Sequence, residues 1–472
     1  MSQRFDVIII GAGTAGLSAL REVRRHTDNF LIVNSGPQGT TCARVGCMPS
    51  KVLIEAANAC RDARQLDAMG IREAGGLRPD TAAVLAYVRS LRDHYVAGVL
   101  RQIEALGERS IAGEARLLGP DSVAVGDSCY TTESIVIATG SRPVLPEGWK
   151  AFGEHILTSD ELFEQESLPR RMAVIGLGAL GLEMAQALAR LDIEVHGFEA
   201  AEFIGGLTDP VVNDRAIALL RDEFPLHAGA PAGLSPGAGG VVVNSGGERV
   251  EVDRVLVALG RTPNLAGLHL ESLGLELNAR GLPPFSPATG QVGDLRVFIA
   301  GDVNGYAPLL HEAADEGHMA GFNAMHEPIQ AFARRTPLRV CFSAPNIAQA
   351  GRSFAALGAL DPVIGEVDFA RQGRATMTGH DRGYLRLYAE PASGRVLGSE
   401  MCAPQGEHLA HLLAWAVQRR LTVFDILELP FYHPTVEEAL RTAIRQAKTR
   451  FGDARGRSEL ALCECLPVEG MD

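Results

Sequence analysis

The chain enters an apolar run almost at once: Val7-Ile8-Ile9-Ile10 follows the mixed stretch Arg4-Phe5-Asp6. Four consecutive apolar residues without alternation read as a strand buried on both faces. Gly11, Gly13 and Gly16 punctuate the next positions, and a helix-like run follows. The same succession returns far downstream. Met172-Ala-Val-Ile175 leads into Gly176, Gly178 and Gly181 and then into another helix-like run. Two further apolar runs echo one another, Ser134-Ile-Val-Ile-Ala-Thr-Gly140-Ser-Arg-Pro143 and Arg254-Val-Leu-Val-Ala-Leu-Gly260-Arg-Thr-Pro263. Each closes its own unit with a strand and a glycine turn. The pattern predicts an α/β protein that contains the same strand–turn–helix unit twice.

Glycines at this spacing, after a strand and before a helix, allow a tight turn, a close approach of backbone to a pyrophosphate, and close helix–sheet packing. Phosphates then meet the free N–H groups and positive end of the helix. Gly11, Gly13, Thr14, Ala15 and Gly16 form the first candidate loop; Gly176, Gly178, Ala179, Leu180 and Gly181 form the second. Thr139 with Gly140, and Gly260, are the closing turns. In such units an acidic residue about 20 positions on reads the ribose. Counting 23 positions from Gly176 reaches Glu199, whose carboxylate favours NAD(H) and repels a 2′-phosphate; the next residues include no arginine. The same count from Gly11 lands on Asn34, which can still hydrogen-bond a ribose. Two units imply two dinucleotides, one held permanently and one exchanging. The alternative is a duplicated domain with one dead site.

A length of 472 residues is too long for one core and implies about three domains. Hydrophobic residues at 46% and charged residues at 21% fit an ordinary globular chain. A net charge of −13 argues against non-specific nucleic-acid binding. The longest uncharged stretch, Val7 to Leu20, is short and broken by glycines, so no membrane span is expected. No signal-peptide pattern is seen, and the protein is expected to be cytoplasmic. There, eight cysteines call for a chemical reading of close pairs, here Cys42/Cys47 and Cys463/Cys465. Cys60, Cys129, Cys341 and Cys402 are expected to be small buried hydrophobes. On a regular helix the five-residue step from Cys42 to Cys47 rises about 7.5 Å, too far for a relaxed disulfide. Bridging them needs an irregular turn, for which Gly46 and Pro49 are suited. Half of a metal site is the other reading of the pair, but no second cysteine or histidine cluster completes it, and no metal is expected.

The run Thr41-Cys42-Ala-Arg-Val-Gly-Cys47-Met-Pro-Ser-Lys51 resembles the redox motif of the class I pyridine nucleotide–disulfide oxidoreductases. The likeness extends over nearly the whole chain and implies two Rossmann-like domains, for FAD and NAD, plus a C-terminal α+β dimerisation domain. Val297-Phe-Ile-Ala-Gly301-Asp302 resembles the family's second FAD contact, with Asp302 on the ribityl hydroxyls. Leu310-His311 opens a segment similar to the helix start beneath the flavin. The resemblance makes Cys47 the thiolate facing the flavin and Cys42 the exchanging sulfur, with Thr41 and Lys51 beside the FAD. Lys51 and Glu183 would pair near the flavin. Phe431-Tyr-His433-Pro-Thr-Val-Glu-Glu438 is similar to the family's His-Pro-Thr-x-x-Glu motif. It makes His433 the base, oriented by Glu438 and supplied by the partner of an obligate homodimer. The implied division is 1–150 for FAD and the redox pair, 151–275 for NAD, 276–336 returning to the FAD region, 337–451 for the interface and 452–472 for a tail.

Among relatives, Glu199 and His433 favour the dihydrolipoamide dehydrogenase branch over glutathione and mercuric reductases. The expected reaction is oxidation of a dihydrolipoyl group on a carrier protein, or of a small dithiol, with NAD⁺. The alternatives are an NAD(P)H-dependent reductase of another disulfide, served by Cys463/Cys465, and a redox-sensing or scaffolding subunit. Ala43-Arg44 between the cysteines, Met48, and Ala179 where many relatives carry a tyrosine are departures that point to a divergent branch.

Overall fold

Side-chain alternation along the first strand, Gln3–Ile10, divides one sheet between two cores. The computed structural model describes residues 3–72, 76–452 and 458–460. Val7 and Ile9 pack with Phe30, Ile32, Val136 and Phe298 beneath the helices Thr14–Val23 and Leu310–Met325. Ile8 and Ile10 face the other way, with Leu31, Val33, Ile135, Ile137, Val297 and Ile299, and are covered by Leu117, Val123, Leu268 and Leu270. Burial on both faces is why the run lacks polar alternation.

Pairing in this sheet is parallel at its centre, with Ile8 opposite both Leu31 and Ile135. Strand Val297–Ile299 joins it late, placing Phe298 opposite Val136, so the chain returns to its first sheet after building a second one. That second sheet is parallel, in the order Leu226–Ala228, Glu194–Glu199, Arg171–Ile175, Arg254–Val257, Ile156–Leu157. Strand Arg171–Ile175 has its successors on both sides, so strand order reverses there and opens a crevice at its carboxyl end. The two echoed segments meet: Ser141–Pro143 pairs antiparallel with Arg261–Pro263, a ribbon that joins the two units.

The last sheet is antiparallel, in the order Leu338–Cys341, Asn346–Gly351, Val396–Ala403, Tyr384–Ala389, Val363–Asp368. Helices Gly406–Gln418 and Glu438–Lys448 pack on it. Its central strand is buried at every position and contains Glu400. That carboxylate accepts from Thr208 N (2.7 Å), Thr208 Oγ1 (2.5 Å), Asp209 N (2.9 Å) and Phe354 N (2.9 Å), binding this domain to the second unit. Two dinucleotide-type units and an antiparallel α+β domain are the architecture expected from the sequence. Cys341 and Cys402 are buried as expected, and Cys60 is half-buried. Cys129 is exposed instead, because it sits at the turn end of strand Ser128–Ile137, where the outer residues leave the core. No helix of the described residues is long and apolar enough to cross a membrane. Cys463 and Cys465 lie outside the described residues.

Candidate active site

The cysteine pair is built by a broken helix. Thr40 caps a single turn, Thr41–Val45, its hydroxyl accepting the Ala43 N–H at 3.2 Å. Gly46 then leaves the helical course at φ −119°, ψ −123°, and the helix Cys47–Gln65 starts beyond it. A Cβ on Gly46 would lie 3.0 Å from the Thr41 carbonyl oxygen and 3.1 Å from Cys42 Cα. A side chain there would crowd the backbone return that brings Cys42 back to Cys47. Pro49 takes no part in the break. It lies in the first turn of the new helix, where a missing N–H costs nothing.

Both cysteines are free thiols in this structure. A hydrogen bond from Cys42 is the main reason the Cys47 thiol is pushed down to about 6; burial opposes it and the Lys51 ammonium reinforces it. Cys42 moves the opposite way, far above the usual thiol range, because its proton is engaged by Cys47. Cys47 also opens a 19-residue helix, whose free N–H groups and dipole favour a negative charge. In the reduced pair, Cys42 therefore keeps the proton and Cys47 carries the charge.

One turn on, Lys51 Nζ is 2.8 Å from Glu183 Oε2. Glu183 is 3% exposed, so it needs that cation. Its other oxygen accepts the Phe342 N–H at 2.9 Å, and the Phe342 ring lies 4.5 Å beneath the Lys51 ammonium. A single aromatic residue thus holds both ends of the pair.

In the two candidate phosphate loops, matching glycines do matching work. A Cβ on Gly11 or Gly176 would meet a strand carbonyl, Ala138 O at 2.2 Å or Ala258 O at 2.5 Å. On Gly16 or Gly181 it would strike the first glycine's own carbonyl at 1.9 or 1.8 Å. Gly13 and Gly178 have nothing within 4 Å of such a Cβ, so the protein itself does not demand glycine there. Open backbone at both middle positions fits a dinucleotide phosphate lying against them. Asn34 Oδ1 accepts the Ala12 N–H at 3.1 Å, as Glu199 Oε2 accepts the Leu177 N–H at 2.7 Å. The amide therefore orders its loop much as the carboxylate does.

The first loop opens on a cavity of about 430 Å³ whose walls include Gly11, Gly13, Asn34, Thr41, Thr139, Gly140 and Arg44. Ala15 and Gly16 lie behind it as packing: the Ala15 methyl is 2.9 Å from where a Gly301 Cβ would be. Thr14 and Ala179 are the first residues of the two loop helices, with Leu180 half-buried beside Ala179. Gly260 carries a φ of +91° in the turn before the ribbon. Asp302 Oδ2 accepts from Ser141 Oγ at 2.7 Å, and Ser141 Oγ in turn accepts from Arg261 Nε at 2.8 Å. Leu310 and His311 start their helix half-exposed.

His433 stands apart from these groups. Its side chain is 79% exposed, and its Nδ1 lies 3.0 and 3.2 Å from the two oxygens of Glu438. With Nδ1–H donated there, Nε2 is left as the basic nitrogen. Among the described residues it hydrogen-bonds neither cysteine of its own chain. Beside it lies an apolar cavity of about 550 Å³ lined by Trp415, Leu429, Phe431 and Tyr432.

Residues 5–317 match the family model for pyridine nucleotide-disulphide oxidoreductases, and residues 338–444 match the dimerisation domain of the same family. The chain belongs to this family. As a pyridine nucleotide-disulphide oxidoreductase it is a flavoprotein of dihydrolipoyl dehydrogenase type with the capacity to bind FAD and NAD. It is 31% identical over 464 residues to a dihydrolipoyl dehydrogenase of Haloferax volcanii, covering 94% of this chain and 96% of that protein. It is also 31% identical over 473 residues to one of Pseudomonas aeruginosa, covering 95% and 98%. The fold is shared with LpdA from Mycobacterium tuberculosis (24% identity, TM-score 0.81, 94% of this chain and 99% of that one). It is shared too with the HOCl-induced flavoprotein disulfide reductase RclA from Escherichia coli (21% identity, TM-score 0.81, 93% and 99%).

Several residues of this oxidoreductase carry no sequence signal for the positions they hold. Phe342 follows a short strand with no motif. Ser141 and Arg261 sit inside the echoed segments, but only the ribbon shows that they meet. Glu316, 2% exposed on its helix, accepts the Gly301 N–H at 2.7 Å and the Asn304 amide at 2.7 Å, with Arg334 2.8 Å from its other oxygen. Burial raises its carboxyl despite these partners. The turn that carries Asp302 is thus held from behind.

Proposed function

We propose that the protein oxidises a protein-bound dihydrolipoyl group with NAD⁺, in the manner of a dihydrolipoyl dehydrogenase. The division of proton and charge within Cys42 and Cys47 carries this reading. One sulfur is primed to exchange with a dithiol, and the other rests as a thiolate beside Lys51.

In the oxidised pair, a substrate thiolate attacks Cys42, the Cys42–Cys47 bond breaks, and Cys47 leaves as a thiolate. The partner subunit's His433 takes the proton from the second substrate thiol, which then displaces Cys42 and leaves as the substrate disulfide. Cys42 is reprotonated and holds Cys47 charged through their hydrogen bond. Exposure of His433 beside an apolar face, in a domain of dimerisation type, supports its delivery to the other subunit. When bound, FAD and NAD⁺ supply the onward hydride chemistry. For FAD, the residues that would hold it are Gly11, Gly13, Asn34, Thr41, Thr139, Gly140 and Asp302, together with Lys51. For NAD⁺ they are Gly176, Gly178, Ala179, Gly181, Glu199 and Gly260. The Glu199 carboxylate at the ribose end supports NAD⁺ over NADP⁺.

The test is initial-rate turnover of dihydrolipoamide with NAD⁺ and with NADP⁺. Rapid NAD⁺ reduction is expected, abolished in Cys47→Ser. His433→Gln should lower kcat by about 10²–10⁴ with the flavin still bound. Negligible turnover of dihydrolipoamide by flavin-loaded protein would overturn the choice of dithiol.

A further inference from the structure

Arg44 lies two residues after Cys42 and three before Cys47, inside the redox loop. Its side chain lines the cavity at the first glycine loop, together with Gly11, Gly13 and Thr41. The stem runs flat across Gly39, where a Cβ would come within 3.3 Å of both Arg44 Cγ and Cδ; φ there is +96°. This packing aims the guanidinium. Its Nε is buried and has no hydrogen-bond partner. Among the described residues the other arginines of the wall are all engaged. Arg142 donates to Pro263 O and Asn264 Oδ1, and Arg261 donates to Ser141 O and Oγ. Arg44 alone has no ion pair and no side-chain hydrogen bond among those residues.

A half-buried guanidinium on a cavity wall, its Nε buried and unpaired, is a site for an oxyanion. Its planar fork of donors matches phosphate geometry. Phosphate is also what the neighbouring glycine backbone and helix terminus favour. We propose that Arg44 binds the diphosphate of the flavin dinucleotide and so ties the cysteine loop directly to the cofactor. The inference rests on the reading of this cavity as the FAD site. It makes the loop that exchanges electrons with the dithiol also a clamp on the cofactor. By reciprocity, what orders one end orders the other.

The test uses apoprotein prepared from the purified holoenzyme. FAD is titrated by fluorescence and ADP, which carries the diphosphate without the flavin, by calorimetry, each at about 50 and about 200 mM salt. Arg44→Gln keeps most of the stem and should weaken both ligands by about tenfold or more at the lower salt. The gap should narrow at the higher salt. Arg44→Lys keeps the charge and should recover a good part of the loss, which mere repacking over Gly39 would not produce. FAD and ADP affinities within about twofold of wild type in a folded Arg44→Gln protein would overturn the proposal. So would a loss that neither salt nor lysine alters. If wild-type apoprotein binds neither ligand, the FAD reading of the cavity falls, and this inference falls with it.

Discussion

Replacing Cys42 by alanine removes the strongest influence on Cys47. The Cys42 hydrogen bond is the largest cause holding the Cys47 thiol at about 6 instead of its ordinary 9.0; Lys51 adds to it and burial works against it. A donor to the charged form lowers a pKa, so its loss must raise it. A hydrogen bond to an ion contributes about 1.5–3 kcal/mol, equivalent to about 1–2 pKa units. Where water takes up part of the lost bond, the smaller figure applies. The Cys42→Ala midpoint should fall at about 7–8. The thiolate fraction at pH 7 then drops from about nine-tenths to between about one half and about one tenth. The assay is the pH dependence of iodoacetamide alkylation in pre-reduced protein. It is read by mass spectrometry on the Cys47 peptide so that Cys60 and Cys129 do not contribute. Alkylation of Cys47 at pH 7 should slow by about 2–10-fold. Cys42→Ser keeps a donor and should stay near the wild-type midpoint. A Cys42→Ala midpoint within about 0.3 unit of wild type would refute the assignment of the charge to this hydrogen bond.

Three other perturbations separate structural from chemical roles. Gly181→Ala drives a methyl to 1.8 Å from Gly176 O and should lower both thermal stability and NADH affinity; Gly178→Ala meets nothing within 4 Å and should lower NADH affinity alone, by about tenfold. Equal melting losses in the two variants would contradict the division of roles. Glu400→Ala strips four buried or half-buried donors of their acceptor and should cost at least about 3 kcal/mol in urea unfolding, a prediction that a change under about 1 kcal/mol would sink. Lys51→Met leaves Glu183 buried without its cation and should destabilise by about 2–3 kcal/mol; adding Glu183→Gln should restore at least half, and failure of the second change to help would deny that the pair is coupled.

The parts of this protein legible in its sequence are those set by local covalent constraints. Strand, glycine turn and helix follow one another within about 20 residues, so both units show in the pattern of apolar runs. The break at Gly46 is legible for the same reason. Pro49 is the weaker signal, because a proline in a first helical turn breaks nothing. What stayed hidden depends on segments distant in the chain. Phe342 reaches Lys51 and Glu183 only because its strand ends beside the second loop's helix. Glu316 supports Gly301 from across a helix, and Glu400 binds domains whose partners lie about 190 positions apart. Cys129 illustrates a further gap: strand membership was readable, but which end of the strand leaves the core was not.

The ribbon of Ser141–Pro143 and Arg261–Pro263 bears on how this architecture can be taken apart. Arg261, from the second unit, holds Ser141 of the first, and Ser141 holds Asp302 in the turn after the returning strand. The acid proposed to hold the flavin chain is therefore oriented by a side chain from the second unit. Duplicated units are often treated as interchangeable cassettes. Here the seam between the copies has become a working part, and excising or swapping the second cassette would disarm the first. Engineering that retargets nicotinamide preference must leave this seam intact.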